Sequence, residues 1–420
     1  MSKIFVQIAS YRDPQLIPTL DSMFENAANP KDLQVCIAWQ KDINESAGKY
    51  EKHNQVNLLP IYYKDSKGAC WARNLIQQQY NNEDFTLQLD SHMRFAPGWD
   101  EELKSMYQTS YERGHEKPLL TAYVPSFDPD NDPGSRVKEP WKMKFDRFIP
   151  EGAVFFLPET IDEWKHLTAP INARFYSAHF CFTSGKFCRE VPHDPFYYFH
   201  GEEISIAARA FTHGYDLLHP HKPLVWHEYT RKNRTKHWDD HVETKVEKTW
   251  WTRNEECHKR NRILFGMEPN TDNIDFGIYG FGKKRTLQEY ENYAGINFKL
   301  KLAQQFTEEN WDVPPNPEVY KTEDEWTNKC TKQYYVSVAV NPIYWTTTDY
   351  DFWYVGVHDT NGAEIYRKDL NGEDLAAVIG RMEFDYRFRT NCTPDSVSIW
   401  PHSISKGWLE KSTQRLNFKR

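Results

Sequence analysis

The chain has 420 residues, of which 52 are basic and 60 acidic, so its formal net charge is −8. This acidic balance argues against a protein that binds nucleic acid by neutralising phosphates. The length allows two or three domains, each with its own core, and the aromatic content of 15% is typical of a folded chain.

The cysteine pattern and the hydropathy of the chain predict a soluble, cytoplasmic protein. No stretch approaches the roughly 20 apolar residues that a bilayer crossing needs, and the apolar run at residues 3–9 is too short for a signal peptide. The seven cysteines are an odd number without a CxxC pair. Such usage favours reduced thiols over a disulfide framework.

The first 95 residues alternate between strand and helix patterns. We predict strands at 3–9, 33–39, 57–63 and 85–89, with helices at 14–28 and 68–80. This alternation indicates an α/β sheet, in which ligands bind at the carboxyl ends of the strands. Two polar segments fall at such ends, Ser10–Asp13 and Asp90–His92.

The middle of the chain continues the pattern and then reaches a junction. Further strands are predicted at 119–125, 153–157 and 217–227, and a helix at 204–213. The glycine-rich segment 276–282 has neither GxGxxG nor P-loop spacing, so a linker turn is favoured over a phosphate cradle. The capping-box pair Thr286 and Glu289 then predicts a helix through Tyr293.

The last 90 residues have a β pattern rich in aromatic residues. Strands are predicted at 334–340, 352–357 and 363–366, with the Asn361–Gly362 pair as a hairpin turn. We therefore expect a principal α/β domain at 1–270, a helical linker region at 271–331 and a β-rich accessory module at 332–420. The module contains more rings than one small β-layer needs, so some of them should be exposed: Tyr334, Trp345, Trp353, Tyr354, Trp400 and Trp408.

A metal site is predicted from three side chains at strand ends. Asp90 and His92 are spaced i and i+2 at the end of one strand, and His227 follows a later one, so all three could bind one divalent ion. The alternative for the first pair is a strand-end turn with solvated side chains. A zinc cluster is a weaker alternative because no cysteine flanks its histidines, which would be His213, His219, His221 and His227.

Several segments together resemble a known family. Leu87–Trp99 is similar to the metal-binding DxH segment of polypeptide N-acetylgalactosaminyltransferases, where a Gly-Glu-Asn segment and a metal-binding histidine follow. Here Gly201–Glu203 is followed by His227 at the spacing of those relatives. Three further segments resemble the cytoplasmic GlcNAc-transferases that modify hydroxyproline of a ubiquitin-ligase subunit: Ala9–Pro14, Cys70–Asn74 and Arg285–Phe298.

The resemblance covers about residues 3 to 300 and implies a GT-A (Rossmann-like) glycosyltransferase domain. It further implies that Asp90, His92 and His227 bind Mn²⁺, or Mg²⁺, which bridges the pyrophosphate of a UDP-sugar and stabilises the UDP leaving group. Glu202 corresponds to an acid that holds sugar hydroxyls and is the expected catalytic residue. The nucleotide-sugar site implied in this way comprises Ser10, Tyr11, Arg12, Arg73, Asp90, Glu202, Glu203 and Arg231.

Ordinary structural roles remain open for several of these residues. Arg73 could be a solvated helix residue, Arg12 could form a local ion pair, and both glutamates could favour the positive N-terminus of their helix. Arg231 is offset from the corresponding arginine of the family. Glu203 stands where one relative has asparagine, which leaves the sugar preference open.

The sequence therefore predicts a metal-dependent, retaining glycosyltransferase that moves a sugar, in the first place GlcNAc from UDP-GlcNAc, to a hydroxyl of a protein or glycan. No nucleophile for a double displacement is evident, and no catalytic base is assigned. The alternatives are a carbohydrate- or protein-binding protein built on a degenerate transferase domain, and a metal-dependent hydrolase, for which no paired base stands out. Nucleic acid is not an expected partner, and assembly into a homo-oligomer is left open.

Overall fold

The computed structural model describes residues 2–231, 234–242, 246, 248–390 and 392–416. The chain divides into two compact units. The N-terminal unit contains residues up to 299 together with 306–319, and the C-terminal unit contains 300–305 together with 320–420. Among the described residues, no helix combines the length and the apolar character that a bilayer crossing requires.

Helices and strands alternate along the N-terminal unit, and strands dominate the C-terminal unit. The helices are α1 Leu16–Asn26, α2 Ala69–Gln77, α3 Trp99–Glu112, α4 Phe187–Glu190, α5 Glu202–Thr212, α6 His237–Asp240, α7 Trp250–Leu264, α8 Leu287–Ala294, α9 Gln305–Glu309, α10 Glu323–Lys329 and α11 Gly372–Arg381. The strands of the N-terminal part are β1 Ile4–Tyr11, β2 Leu33–Lys41, β3 Val56–Tyr62, β4 Phe85–Asp90, β5 Met93–Phe95, β6 Pro118–Thr121, β7 Trp141–Phe148, β8 Val154–Thr160, β9 Ile171–Asn172, β10 Phe180–Ser184, β11 Asp216–His219, β12 Val225–His227 and β13 Ile296–Asn297. Those that follow are β14 Leu302–Ala303, β15 Lys332–Ala339, β16 Tyr350–Asp359, β17 Glu364–Leu370, β18 Glu383–Thr390, β19 Pro394–Ser403, β20 Gly407–Trp408 and β21 Ser412–Arg415.

The N-terminal unit is built on an eight-stranded sheet of order β3-β2-β1-β4-β10-β6-β11-β9. The four strands β1 to β4 are parallel neighbours, and β11 is parallel to β6. β10 lies antiparallel between β4 and β6, and β9 is antiparallel to β11. The mixed α/β class and the first four strands are therefore confirmed.

Both faces of this sheet are covered by helices. Successive side chains of β1 point to opposite faces and pack against different helices. Ile4, Val6 and Ile8 are fully buried in one apolar cluster with residues of α1 and α3. Phe5, on the other side, packs with Ala72 and Ile76 of α2. The helices leave the carboxyl ends of the strands uncovered for a pocket.

A short two-stranded ribbon brings a distant segment to the end of β4. β12 pairs antiparallel with β5, and the register sets His227 opposite Met93, next to His92. The single strand predicted over 217–227 was wrong: it is divided into β11 and β12, because Pro220 and Pro223 between them lack the backbone N–H that a ladder needs.

The C-terminal unit contains two antiparallel sheets. β15 pairs with β18, and the other sheet has the order β17-β16-β19-β20, with β21 also on β19. The predicted hairpin is present, since β16 and β17 are neighbours joined through Asn361 and Gly362. The helix α11 was not predicted; its Leu375 and Val378 are buried in the core of the unit.

Candidate active site

A pocket of about 460 Å³ opens at the carboxyl ends of β1 and β4. Besides these strand ends, it is lined by α2, by the start of α5 and by the beginning of β8. Further lining residues are Tyr123, Ala178 and His179, and, at and after the end of β12, residues 227, 229, 231 and 234–238. Eight of the ten predicted site residues line it: Tyr11, Arg73, Asp90, His92, Glu202, Glu203, His227 and Arg231. Ser10 and Arg12 are not among the lining residues.

Asp90, His92 and His227 converge on one point. The Asp90 Oδ2 atom lies 3.4 Å from His227 Nε2 and 3.6 Å from His92 Nε2, and one donor atom of each residue lies within 4.8 Å of the others. One carboxylate and two imidazoles are a donor set suited to a first-row divalent cation. The three residues therefore fit a metal such as Mn²⁺.

The orientation of His92 is set from behind by Asp13. The Asp13 Oδ2 atom lies 2.7 Å from His92 Nδ1 and also accepts a 2.7 Å hydrogen bond from the Ser91 hydroxyl. Because an acceptor faces Nδ1, that nitrogen carries the proton and Nε2 is directed to Asp90. Asp13 belongs to the segment Ala9–Pro14 that carries the family resemblance, but the sequence did not predict its contact with His92.

Arg73 connects the metal-site carboxylate to the glutamate of α5. Its guanidinium donates to Asp90 Oδ1 at 2.8 Å and to Glu202 Oε1 at 2.5 Å, while only 5% of Arg73 is exposed. His193 Nε2 lies 2.9 Å from the same Glu202 oxygen. Burial by itself would raise the pKa of Glu202, but the charge of Arg73 and the contact with His193 lower it to about 2. Arg73 is thus not a solvated helix residue.

The neighbouring Glu203 lies in a different environment. Its carboxylate accepts hydrogen bonds from the Tyr123 hydroxyl at 2.8 Å and from the backbone N–H of Ala178 at 3.0 Å, and no cation pairs with it among the described contacts. Burial raises the pKa of Glu203 to about 7 despite these hydrogen bonds. The two adjacent glutamates therefore differ in charge: Glu202 is ionised, and Glu203 holds its proton up to about neutral pH.

Two aromatic side chains fix the ring of His227. The His179 ring stacks on it with 4.5 Å between centroids, and the Tyr229 ring lies edge-on at 4.3 Å. The Tyr229 hydroxyl donates to the backbone oxygen of Val124 at 2.8 Å. Burial lowers the pKa of His227 to about 4, so its imidazole is neutral, the form that binds metals. Sequence reasoning missed His179 because it lies just before a strand with no motif around it.

The remaining predicted residues, Tyr11, Arg12 and Arg231, lie beside α6. The Tyr11 hydroxyl and the Arg12 guanidinium both donate to Asp240 Oδ2, at 2.9 and 2.8 Å. Arg12 thus anchors α6 beside the pocket rather than lining it. The sequence left open a local ion pair for Arg12, but this partner is distant along the chain. The guanidinium of Arg231 lies 5.6 Å from the ring centroid of Trp238, which also lines the pocket.

The two alternative sites considered from the sequence, a histidine zinc cluster and a glycine-rich phosphate cradle, have structural roles in the fold. His213 Nδ1 and His219 Nδ1 contact the backbone oxygens of Arg209 and Thr121, at 2.8 and 2.7 Å, and the metal-competent group found in the described part of the chain is the Asp90 group. The glycine-rich turn is held by Arg209, which donates to the Ile278 and Gly280 carbonyls. That turn is therefore an anchored junction.

Comparison with known proteins yields one matching family and distant structural likenesses. The family model described as "Glycosyltransferase (GlcNAc)" matches residues 3–54 and 44–300, well over half of the chain. No curated protein matches the chain. It is similar to GalNAc-T7, solved with UDP, GalNAc and Mn²⁺, at 13% identity and a TM-score of 0.48 over 69% of this chain and 54% of that chain. It thus spans just over half the length of the GalNAc-T7 chain. It is also similar to residues 1–349 of S. aureus TarS with UDP-GlcNAc, at 13% identity and a TM-score of 0.35 over 63% and 73% of the two chains.

Proposed function

Because the chain belongs to the GlcNAc glycosyltransferase family, with the mostly parallel α/β sheet of a GT-A enzyme, we propose that it transfers GlcNAc from UDP-GlcNAc in a metal-dependent, retaining reaction. The acceptor is a hydroxyl group of a protein or glycan. The cytoplasmic location stays a prediction from the cysteine pattern.

The convergence of Asp90, His92 and His227 at the floor of the pocket is the observation that carries this proposal. These residues would hold Mn²⁺ or Mg²⁺, which when bound stabilises negative charge on a diphosphate. Arg73 keeps Asp90 ionised and adds positive charge beside it. Tyr11 lines the same end of the pocket, where we place the nucleotide.

The sugar is placed at the α5 end of the pocket. Glu202 and Glu203 both line it, and their different protonation gives the sugar an acceptor and a donor of hydrogen bonds at adjacent positions. Glu202 also fixes Arg73, so we assign it two tasks: holding a sugar hydroxyl and positioning the arginine. Phe155, Phe156 and Phe199 line the pocket as well and offer apolar surface for a sugar ring or its N-acetyl group.

The charged network explains why no catalytic base is assigned. Asp90 and Glu202 are both paired with Arg73. Burial by itself would raise the pKa of Asp90, but the His227 hydrogen bond and the Arg73 charge bring it well below its ordinary value. Neither is suited to accept a proton at neutral pH. In the proposed reaction the bond from the sugar anomeric carbon to the β-phosphate oxygen breaks, the acceptor oxygen bonds to that carbon on the same face, and the acceptor proton passes to the departing phosphate.

The second candidate function is a binding protein built on a degenerate transferase domain. It is the weaker one, because a degenerate site should have lost a metal ligand, whereas all three side chains are present and oriented. The observation that favours it is the set of exposed aromatic rings in the C-terminal unit.

A donor screen distinguishes the two. The full chain is incubated with Mn²⁺ and, separately, UDP-GlcNAc, UDP-GalNAc, UDP-glucose and UDP-galactose, and hydrolysis is followed by proton NMR. We expect UDP-GlcNAc to be hydrolysed fastest, with α-GlcNAc as the first product anomer, and EDTA to stop the reaction. Faster turnover of another donor would refute the sugar assignment, a β-anomer would refute retention, and UDP binding without any hydrolysis would favour the binding protein.

A further inference from the structure

We propose that the C-terminal unit carries a separate carbohydrate site, a strip of aromatic rings on its five-stranded sheet that binds an uncharged glycan chain. The strip consists of Phe352 and Tyr354 on β16, Trp400 on β19 and Trp408 on β20, and we call it the aromatic strip. It lies entirely within the C-terminal unit and takes no part in the donor chemistry proposed above.

Strand alternation places these rings on the face of the sheet opposite to the core. On β16, Trp353, Val355 and Val357 are at most 1% exposed and belong to the apolar core of the unit. Phe352 and Tyr354 alternate with them and so point the other way. The register pairs Phe352 with His402 and Tyr354 with Trp400. The rings of two strands therefore form one continuous surface.

The rings of the strip contact one another and remain accessible. The centroids of Trp400 and Trp408 are 4.7 Å apart, and Phe352 lies 5.8 Å from Trp408. Trp400 is 38% exposed and Trp408 48%. The Trp400 Nε1 donates to the Leu409 carbonyl at 2.8 Å, which fixes the orientation of that ring. Since the core on the other face is filled by its own residues, these rings are not needed for packing.

Gly356 leaves room for the Tyr354 side chain within the strip. An added Cβ at Gly356 would overlap the hydroxyl and ring of Tyr354, so the Tyr354 ring lies along the sheet over this glycine. Any larger residue would push the ring outward. The other rings are inclined to one another, at 41° for Trp400 and Trp408 and at 85° for Phe352 and Trp408. The accessible faces are those of Trp400 and Trp408, and the C–H face of a pyranose can pack on such a ring while its hydroxyls remain at the edges.

Most charged side chains beside the strip are paired, which argues against a polyanion as the ligand. The Arg367 guanidinium and Lys411 Nζ lie 5.1 and 5.9 Å from the Tyr354 ring centroid. Arg367 pairs with Asp369 at 2.8 Å, and His402 Nδ1 lies 2.7 Å from Asp351. The Tyr354 hydroxyl donates to Glu364. A polyanion would require an excess of cations. Rings bordered by paired donors and acceptors match an uncharged ligand with many hydroxyls.

Affinity electrophoresis of the full chain tests this site. Native gels contain glycol chitin, hydroxyethylcellulose, galactomannan, dextran or, as a polyanion, heparin. We expect at least one uncharged polymer to retard the wild type, and Trp400→Ala and Trp408→Ala to weaken that binding by about tenfold each. Tyr335→Ala is the matched control, because Tyr335 is 52% exposed but lies on β15 of the other sheet. Thermal melts verify that each variant is folded.

Four results would overturn the proposal. They are the absence of retardation by every uncharged polymer, retardation by heparin alone, binding unchanged in Trp408→Ala, and release of the polymer by excess UDP, which would place it in the transferase pocket. If Trp400→Ala fails to fold, the comparison of polymer binding between Trp408→Ala and the wild type still tests the proposal. Sedimentation that shows a dimer lost in Trp408→Ala would assign the strip to a second copy of the chain instead. Failure of the donor screen leaves this test unaffected.

Discussion

The two units of the molecule use their polar and aromatic side chains in opposite ways. In the pocket of the N-terminal unit, charged groups are buried and paired: Arg73 is 5% exposed and lies between Asp90 and Glu202. In the C-terminal unit, the charged pairs are exposed and the rings of Trp400 and Trp408 face solvent. Preset charges in a water-poor site suit a reaction, whereas accessible flat rings suit recognition.

This difference predicts different responses to mutation. Removing one partner of a buried ion pair typically costs about 3–5 kcal/mol, because the other charge stays behind uncompensated, whereas an exposed pair contributes about 0–1 kcal/mol. Substitutions in the pocket should therefore alter both stability and turnover. Substitutions on the aromatic strip should alter neither.

The largest effect is expected from Asp90→Asn. It removes the negative ligand at the centre of the metal site, so Mn²⁺-dependent turnover of the donor should fall by about 10²- to 10³-fold or more. Steady-state kinetics over a range of Mn²⁺ concentrations measure it. Asp130→Asn is the control, since Asp130 is an exposed acid in the 3₁₀ turn at residues 129–131. Equal turnover of Asp90→Asn and wild type would exclude Asp90 as a ligand.

Glu202→Gln should have the next largest effect, and on stability as well as activity. The buried Arg73 loses one of its two carboxylates, so the unfolding free energy of the N-terminal unit should fall by about 3 kcal/mol. Chemical denaturation measures this loss. Glu102→Gln offers a matched comparison, because Glu102 pairs with Lys222 at the surface, and it should cost less than about 1 kcal/mol. Similar losses in both variants would show that the Arg73 pairing contributes little.

Glu203→Gln should change how the unfolding free energy depends on pH, which distinguishes Glu203 from the adjacent Glu202. The folded-state pKa of Glu203 is raised from 4.5 to about 7, so the folded chain holds a proton that the unfolded chain releases in this window. The stability contributed by this group is full below pH 4.5 and is lost as the pH rises to about 7. Glu203→Gln should remove about 3 kcal/mol of that decline between pH 4.5 and 7.5, measured by denaturation in EDTA. An unchanged pH profile would show that Glu203 titrates normally.

The smallest effect on donor chemistry is expected from Trp400→Ala. Because the aromatic strip lies in the C-terminal unit, hydrolysis of the donor should stay within about twofold of wild type, and the exposed ring should cost less than about 1 kcal/mol of stability. The kinetic assay used for Asp90→Asn measures donor hydrolysis by Trp400→Ala as well, and chemical denaturation measures its stability. A large drop in hydrolysis would break the separation between chemistry and recognition.

Local patterns account for much of the fold and for the residues of the proposed metal site. The strands β1 and β2 were predictable as apolar runs buried on both faces, and β4 was predictable from its alternating apolar residues. Asp90 and His92 lie at and just after the end of β4. His227 was predictable because it also ends a short apolar run. The capping box of Thr286 and Glu289 correctly predicted α8.

What the sequence did not reveal depends on contacts between distant segments. His193 and His179 lie in irregular segments before α5 and β10, and their roles arise from contacts with Glu202 and with the His227 ring. No spacing rule connects residues that meet only in the folded chain. The different charges of Glu202 and Glu203 were hidden for the same reason, since Arg73 reaches one and Tyr123 the other.

Direct measurement of Mn²⁺ binding tests the central claim, that Asp90, His92 and His227 form a metal site that serves UDP. Electron paramagnetic resonance counts free Mn²⁺ during titration of wild type, Asp90→Asn and His227→Ala, each with and without UDP. We predict one Mn²⁺ per wild-type chain, bound more tightly in the presence of UDP, and loss of this binding in both variants while their melting curves remain cooperative. Folded variants that bind Mn²⁺ as the wild type does, with the same response to UDP, would contradict the account.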